Sequence, residues 1–478
     1  MNNPRSPHDA GPHDAGPQDP APHDVTSHDP TPHDPADRGG VLLLSHVGFS
    51  FLEDLIGALD SRGTKAYVLT SLPLPEHLPE RLDDLAAKAY DVRSTDSHVL
   101  TRADVEEHIA ALGRRGERVL GCLTVWEGYR HLMAHANSLL DLPDLAEDQV
   151  LALRDKLTLR NALADAGLGR ARAAALTPDS LAARRADGGR HFVKPVSGIA
   201  SLGTFPLTAA TTWADIERIA EEARRDPVYA SAFGPGVPFL VEDYVPGREF
   251  SFELLVADGV AHLAAVHEKC EVTETAGAVL ENACTSPPDS LDPAGLAAGR
   301  TWVLALLARL DLRWGCFHIE ARHHEGRWEL IEVNPRVGGS LISHSVKALN
   351  GTDDLLGLWI DLLLAAGRPD PDALGAWNRR LAEISYRPDG TPPADRATFF
   401  RVFFGERGRI ARIALAEDLP VRPAVVQILA RAGDRIDSEA REVFLGQLLW
   451  SMPLDERERL LPELIRASRD AIEVQYET

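Results

Sequence analysis

Hydrophobic positions divide the chain into two regimes. Residues 1–38 contain almost no large apolar side chain, whereas from Val41 onward short apolar runs alternate with amphipathic stretches. Val41–Ser45, Ala66–Thr70 and Val119–Val125 read as buried strands. A helical period near Phe51–Ser61 and over Ala103–Leu112 separates them, the pattern of a small parallel sheet. Asp155–Leu163 has the period of an amphipathic helix, His191–Lys194 is a short apolar strand, and Arg248–Val256 alternates as a half-buried strand does. Cys316–Glu320 and Trp328–Asn334 read as hairpin partners joined by the short polar link Ala321–Arg327. Leu454–Ala467 is helix-like, and the longest apolar run, Leu355–Ala366, carries Asp361 and is too short to span a bilayer.

The stretch Trp328–Arg336 carries the densest chemistry. Side chains two apart on a strand share a face. Glu332, Asn334 and, if the strand continues, Arg336 line one surface, with Ile331 and Val333 packed the other way. Hairpin pairing would set Glu320 beside Glu332. Two oxygen donors and a planar cation suit a magnesium ion bridged to phosphate; a surface hairpin with a charged wet face fits the same pattern.

Lysine usage adds to this. Of 50 Lys and Arg residues only six are Lys. A Lys kept in an Arg background marks a place for a compact point charge. Lys156 follows Asp155 at the start of its amphipathic run. Lys194 closes a strand ahead of the loop Ser197–Gly203, whose small residues let backbone N–H groups approach an anion. A strand-end charge reaching solvent is the plainer reading of Lys194. Neither GxxxxGK[ST] nor GxGxxG is present, and Gly39, Gly40 and Gly48 form no dinucleotide fingerprint.

Five motifs in order resemble those of the ATP-grasp superfamily, in particular its amino-acid (dipeptide) ligases and their biotin-carboxylase-like relatives. They are Asp155-Lys156, Phe192-Val-Lys194-Pro with its Ser/Gly loop, Val241-Glu-Asp-Tyr-Val-Pro-Gly-Arg-Glu249, Phe317-His-Ile-Glu320 and Glu332-Val-Asn-Pro-Arg336. The resemblance covers about residues 40–478 and is specific from Asp155 to Ser345. It implies an α/β protein built of α+β lobes. A His/Asp/Pro-rich disordered tail over 1–38 would precede a Rossmann-like domain over 39–142. The ATP-grasp domain would span 143–368, with a small lobe at about 188–244, and a C-terminal lid domain 369–478.

The resemblance also implies roles by motif position. Lys156 and Lys194 would hold ATP phosphates, and the loop containing Ser201 would close over them. Glu242 and the backbone of Val245 would meet the adenine edge, and Glu249 the ribose hydroxyls. Glu320, Glu332 and Asn334 would hold two Mg2+ ions, with Mn2+ as a substitute. Arg336 would stabilise the transferring phosphoryl group. Lys269 matches a lysine that orders phosphates or the loop, although a strand-end salt bridge suits it equally. Glu281 matches the Glu of a Glu-x-Gly-His stretch that handles the amino-acid substrate. Cys284 stands where His is expected, and a thiol cannot act as an imidazolium, so the substrate stays open. Backbone donors of Gly338–Ser340 would suit a substrate carboxylate. The implied reaction joins a small carboxylate to an amine through an acyl phosphate, releasing ADP and phosphate. A carboxylase activating bicarbonate and an inactive nucleotide-binding protein are the rivals; relatives are often homodimers.

Composition bounds the partners. A net charge of −22 argues against nucleic acid and anionic membranes. The four cysteines show no CxxC spacing and read as reduced thiols in a cytoplasm. The first residues lack the apolar core of a signal peptide. Pro-His-Asp recurs in the tail; its histidines could bind a transition metal, but a solvated tail explains the composition.

Overall fold

The computed structural model describes residues 39–47, 51–75, 78–199, 201–233, 236–274, 279–368, 371–436 and 443–477. The tail expected over 1–38, with its candidate metal-binding histidines, lies outside them, as does Gly48.

The N-terminal strands form a parallel sheet. β1 (Gly40–Ser45), β2 (Lys65–Thr70), β3 (Asp91–Ser94) and β4 (Val119–Leu123) lie in the order β3-β2-β1-β4. Every residue of β1 is buried, as expected of a parallel strand covered on both faces. The strand expected to reach Val125 ends at Leu123. Thr124 turns the chain there: its hydroxyl donates to the Leu44 carbonyl (2.8 Å) and accepts from the Trp126 N–H (3.2 Å).

A second, antiparallel sheet contains β5 (Ala173–Ala175), β6 (His191–Pro195), β7 (Phe205–Pro206) and β8 (Phe239–Asp243), in the order β5-β8-β6-β7. β5 lies upstream of residue 188, where the small lobe was expected to begin. The helix Trp213–Arg225 buries Ile216, Ile219, Ala220 and Ala223, one stripe of an amphipathic helix, and Thr212 caps it through the Asp215 N–H.

The third sheet dominates the molecule. It uses β9 (Arg248–Ala257), β10 (Val260–Glu274), β11 (Val279–Ser286), β12 (Gly315–His324), β13 (Arg327–Asn334) and β14 (Arg396–Phe404). β15 (Gly408–Leu415), β16 (Val425–Ile428), β17 (Arg435–Ile436), β18 (Phe444–Pro453) and β19 (Ile472–Tyr476) follow. The order is β13-β12-β9-β10-β11-β14-β18-β16, and β17-β15-β19 form a small separate sheet. Phe250, Phe252 and Leu254 of β9 pack with Phe317, Ile319, Trp328 and Leu330 beneath the helix Pro293–Arg309. β9 is not half-exposed as its alternation suggested. Ser251 and Glu253, on its other face, are 2% and 0% exposed because they meet a buried polar network and not water.

Two further details differ from expectation. Residues expected to link the hairpin are strand: β12 runs to His324 and β13 begins at Arg327. The register places Glu320 opposite Glu332 but Ala321 opposite Leu330, so Ile331 is an inserted residue. Such a bulge breaks the period of two. Ile331 therefore lines the same cleft as Glu332, while Leu330 and Val333 pack into the core. The apolar run Leu355–Ala366 is a buried helix whose Asp361 pairs with Arg62 at 2.6 Å. No helix among the described residues is long and apolar enough to cross a membrane.

Candidate active site

The second and third sheets face one another across a cleft. Lys156, Phe192, Lys194, Ser201 and Glu242 line one wall; Glu249, Glu281, Glu320, Ile331 and Glu332 line the other; Tyr244 and Val245 lie at the connection. At that connection Gly247 adopts φ +101°, and a Cβ there would lie 2.2 Å from the His323 carbonyl oxygen, so only glycine fits so close to β12.

Each lysine of the first wall is held by a carboxylate. Lys156 begins the helix Lys156–Asp165, capped by Asp155 through the Thr158 N–H (3.0 Å), and its ammonium lies 3.3 Å from Glu332 and 3.4 Å from the Gly198 carbonyl of the Ser/Gly loop. Lys194 pairs with Glu242 at 2.8 Å, and the other oxygen of Glu242 takes Arg160 Nε at 3.0 Å. Burial pushes Lys194 below its ordinary pKa. Burial also opposes charge on Glu242, but Arg160 and Lys194 override it and hold the carboxyl below its ordinary range. The expected adenine contact at Glu242 would therefore have to draw on a carboxylate already held by two cations. Val245 accepts from Arg322 Nη1 through its carbonyl (2.7 Å). Ser201, in the left-handed region at φ 53°, lies at the cleft as expected of the loop.

The opposite wall is built by register. β12 sets Arg322 opposite Glu249 and Glu320 opposite Ser251, and β13 sets Glu332 opposite Glu320. Lys269 of β10 stands among three carboxylates: Glu249 at 2.5 Å, Glu320 at 3.2 Å, and Glu281 in direct contact. Burial opposes its charge, yet the three acids raise its pKa well above the ordinary value. Burial likewise opposes charge on Glu249, but Lys269 and Arg322 hold it at about 2. Glu281 fares differently: burial, aided by Glu320 and Glu249, outweighs Lys269 and lifts it to about 7. Burial opposes charge on Glu332 too, but Lys156, the Asn334 amide (2.9 Å), Lys194 and Arg336 keep it at about 2.

Oxygens of Glu249, Glu281 and Glu320 lie within 4.8 Å of one another. Hard oxygen donors this close, already gathered round one ammonium, fit a divalent cation. Of the three expected metal ligands, Glu320 belongs to this group. Glu332 and Asn334 bond to each other one strand away.

Some partners escaped the sequence. His318 spans two acids, with Nδ1 2.8 Å from Glu253 and Nε2 2.9 Å from Glu320. Burial opposes a charged ring, but the charge of Glu253 and bonds to both carboxylates raise its pKa to about 10. A Cβ on Gly338 would sit 2.6 Å from His318 Nδ1, so glycine lets the ring stand there. His318 and Arg322 flank Glu320 at spacing two, a signal the period of a strand supplies. Glu127, 3% exposed, takes Arg336 Nη2 at 3.0 Å. The strand ends at Asn334, so Arg336 reaches the site from the following turn. Cys284, opposite Lys269 in register, lines the adjoining cavity, and burial pushes its thiol well above the ordinary value.

Comparison with known proteins bears on the fold that carries these residues. Residues 191–344 match the ATP-grasp domain family. Over 162 residues, 34% of the chain, it is 30% identical to carnosine synthase 1 of Gallus gallus, of whose length the match spans 16%. The L-amino acid ligase from Bacillus licheniformis superposes with a TM-score of 0.66 at 18% identity, covering 92% of this chain and 100% of that one. Phosphoribosylglycinamide synthetase from Anaerococcus prevotii gives 0.61 at 14% identity over 92% and 100%. The lysines and carboxylates described above thus occupy the cleft of a chain that has the ATP-grasp superfamily fold.

Proposed function

We propose that the protein is an ATP-dependent, magnesium-dependent ligase that joins a small carboxylate to an amine through an acyl phosphate. The observation that carries this reading is the set of charges gathered in one cleft: Lys156, Lys194 and Glu242 on one wall, and Glu249, Glu281, Glu320 and Glu332 with Arg322 on the other. Lys156 and Lys194 exchange Glu332 and Glu242 for phosphate oxygens. Glu249, Glu281 and Glu320, with Glu332 and Asn334 beside them, would hold Mg2+, which when bound neutralises phosphate charge. A substrate carboxylate oxygen attacks the γ-phosphorus and ADP departs. The amine nitrogen then attacks the acyl carbon and phosphate leaves. The proton that the amine loses departs with the phosphate. The Arg336 fork steadies charge on the phosphoryl oxygens. Likeness to proteins named carnosine synthase and L-amino acid ligase supports an amide-forming reaction. The four free cysteines support a cytoplasmic setting.

The test is ADP and phosphate release over pairs of amino acids and over bicarbonate, with products identified by mass spectrometry. Release that needs two amino acids and yields their amide is expected. Release driven by bicarbonate alone would replace the ligase with a carboxylase, and no substrate-dependent release would leave only nucleotide binding.

A further inference from the structure

A second cavity, of about 650 Å3, shares Glu281, Glu320 and Glu332 with the cleft and extends to the N-terminal sheet and to β14 and β18. Its charged lining residues all belong to the site already described. Away from them the wall is aromatic. His46 stacks on Trp126 with ring centres 3.5 Å apart and planes at 10°, and Trp126 lies nearly parallel to Tyr229 at 6.0 Å. The indole Nε1–H of Trp126 donates to Ser231 Oγ (2.7 Å), which fixes the plane of the stack. Burial lowers the His46 pKa to about 3, so this ring carries no charge at neutral pH. On the C-terminal side Phe400 and Phe404 share a face of β14, and Phe404 meets Phe444 of β18 at 5.2 Å.

We infer that one of the two molecules joined in this site carries a large uncharged apolar side chain, aromatic or branched aliphatic, seated between the His46–Trp126–Tyr229 stack and the three phenylalanines. The inference rests on the ligase reading and names the substrate class. A charged side chain against these aromatic walls would lose its hydration, and the charged groups of the cavity are already paired, Lys269 with Glu281 and Glu320, Glu332 with Lys156, and Arg336 with Glu127. A hydrogen or methyl side chain would leave the aromatic walls uncovered. A bulky apolar one covers them and gains by burying roughly 150–250 Å2 of its own surface.

The full-length protein, with Mg2+ and a non-hydrolysable ATP analogue, would be titrated calorimetrically with Phe, Leu and Ile against Gly, Ala, Asp and Lys. The same panel would drive ADP release with ATP. Apolar amino acids are expected to bind and to turn over about tenfold or more better than the small or charged ones. Phe404→Ala and Phe444→Ala, both at half-buried positions, should each lose roughly ten- to a hundredfold in kcat/KM for the apolar substrate. KM for ATP should move less than about twofold, since neither ring lies in the nucleotide cleft. Turnover without preference for apolar side chains, or a preference untouched by both variants, overturns the inference and leaves the ligase standing. Apolar binding that both variants weaken, with no ADP formed from any pair, upholds the cavity and overturns the ligase. Absence of both binding and turnover overturns both.

Discussion

Glu332 is held by Lys156 and Asn334 where charge on a triphosphate and its cations would have to balance. Glu332→Gln keeps size and hydrogen bonding but removes one negative charge. On the ligase reading, turnover should fall at least about a hundredfold, or roughly 3 kcal/mol of transition-state stabilisation. Substrate-dependent ADP formation across a magnesium titration, with circular dichroism as folding control, reads this out; near-normal turnover at limiting magnesium would remove Glu332 from the metal site. Glu253 makes a different demand. Burial opposes its charge, but His318 and His267 hold it at about 2, against an ordinary 4.5. A carboxyl with a lowered folded pKa contributes its full stability above 4.5 and loses it as pH falls toward about 2. Glu253→Gln leaves His318 with one anion and should cost about 3–5 kcal/mol at neutral pH. It should also flatten the acid limb of stability. Urea unfolding at stepped pH tests both, and parallel acid limbs for the two proteins would assign that limb to other groups.

Among the elements, the hairpin β12–β13 and its neighbours were the most legible. A short polar link between two strand-like segments places Glu320 beside Glu332, as the register bears out, although unbroken pairing from the turn would face Glu320 with Ile331. The bulge at Ile331 was not legible, because an inserted residue leaves no mark in an alternation of apolar and polar types. Nor was Glu127, which meets Arg336 across 209 positions of chain. Lys156 and Lys194 stood out through the rarity of lysine, but not the acids that hold them, since an ion pair is set by tertiary packing. The turn between β8 and β9 yields a sharper prediction. Gly247→Ala forces a side chain into the left-handed region against the His323 carbonyl. Strain of about 1–3 kcal/mol is expected, with a raised KM for ATP because Val245 lies two residues away. A melting temperature and KM equal to those of the parent would show that the turn relaxes freely.

At the scale of the molecule, β14 and β18 continue the sheet that carries Glu249, Lys269, Glu281, Glu320 and Glu332. The C-terminal strands expected to belong to a lid are bonded edge to edge with the strands that line the cleft, through pairs such as Cys284 with Phe400. The sheet of β5 to β8 is a separate hydrogen-bonded body. Amide hydrogen exchange should therefore protect β14 and β9 to a similar degree, as parts of one cooperative unit, with β6 and β8 opening at lower free energy. Exchange of β14 ahead of β6 would contradict this.

On the ligase reading, nucleotide would lie between the small sheet and the larger one, which are not joined strand to strand. If the small sheet acts as a jaw that must lift before ADP leaves, ADP departure and not bond formation becomes the slow step. Rapid mixing of enzyme with ATP and both substrates should show a burst of amide in the first turnover, followed by a slower steady rate. A linear course from the start would mean that chemistry, and not the jaw, sets the pace.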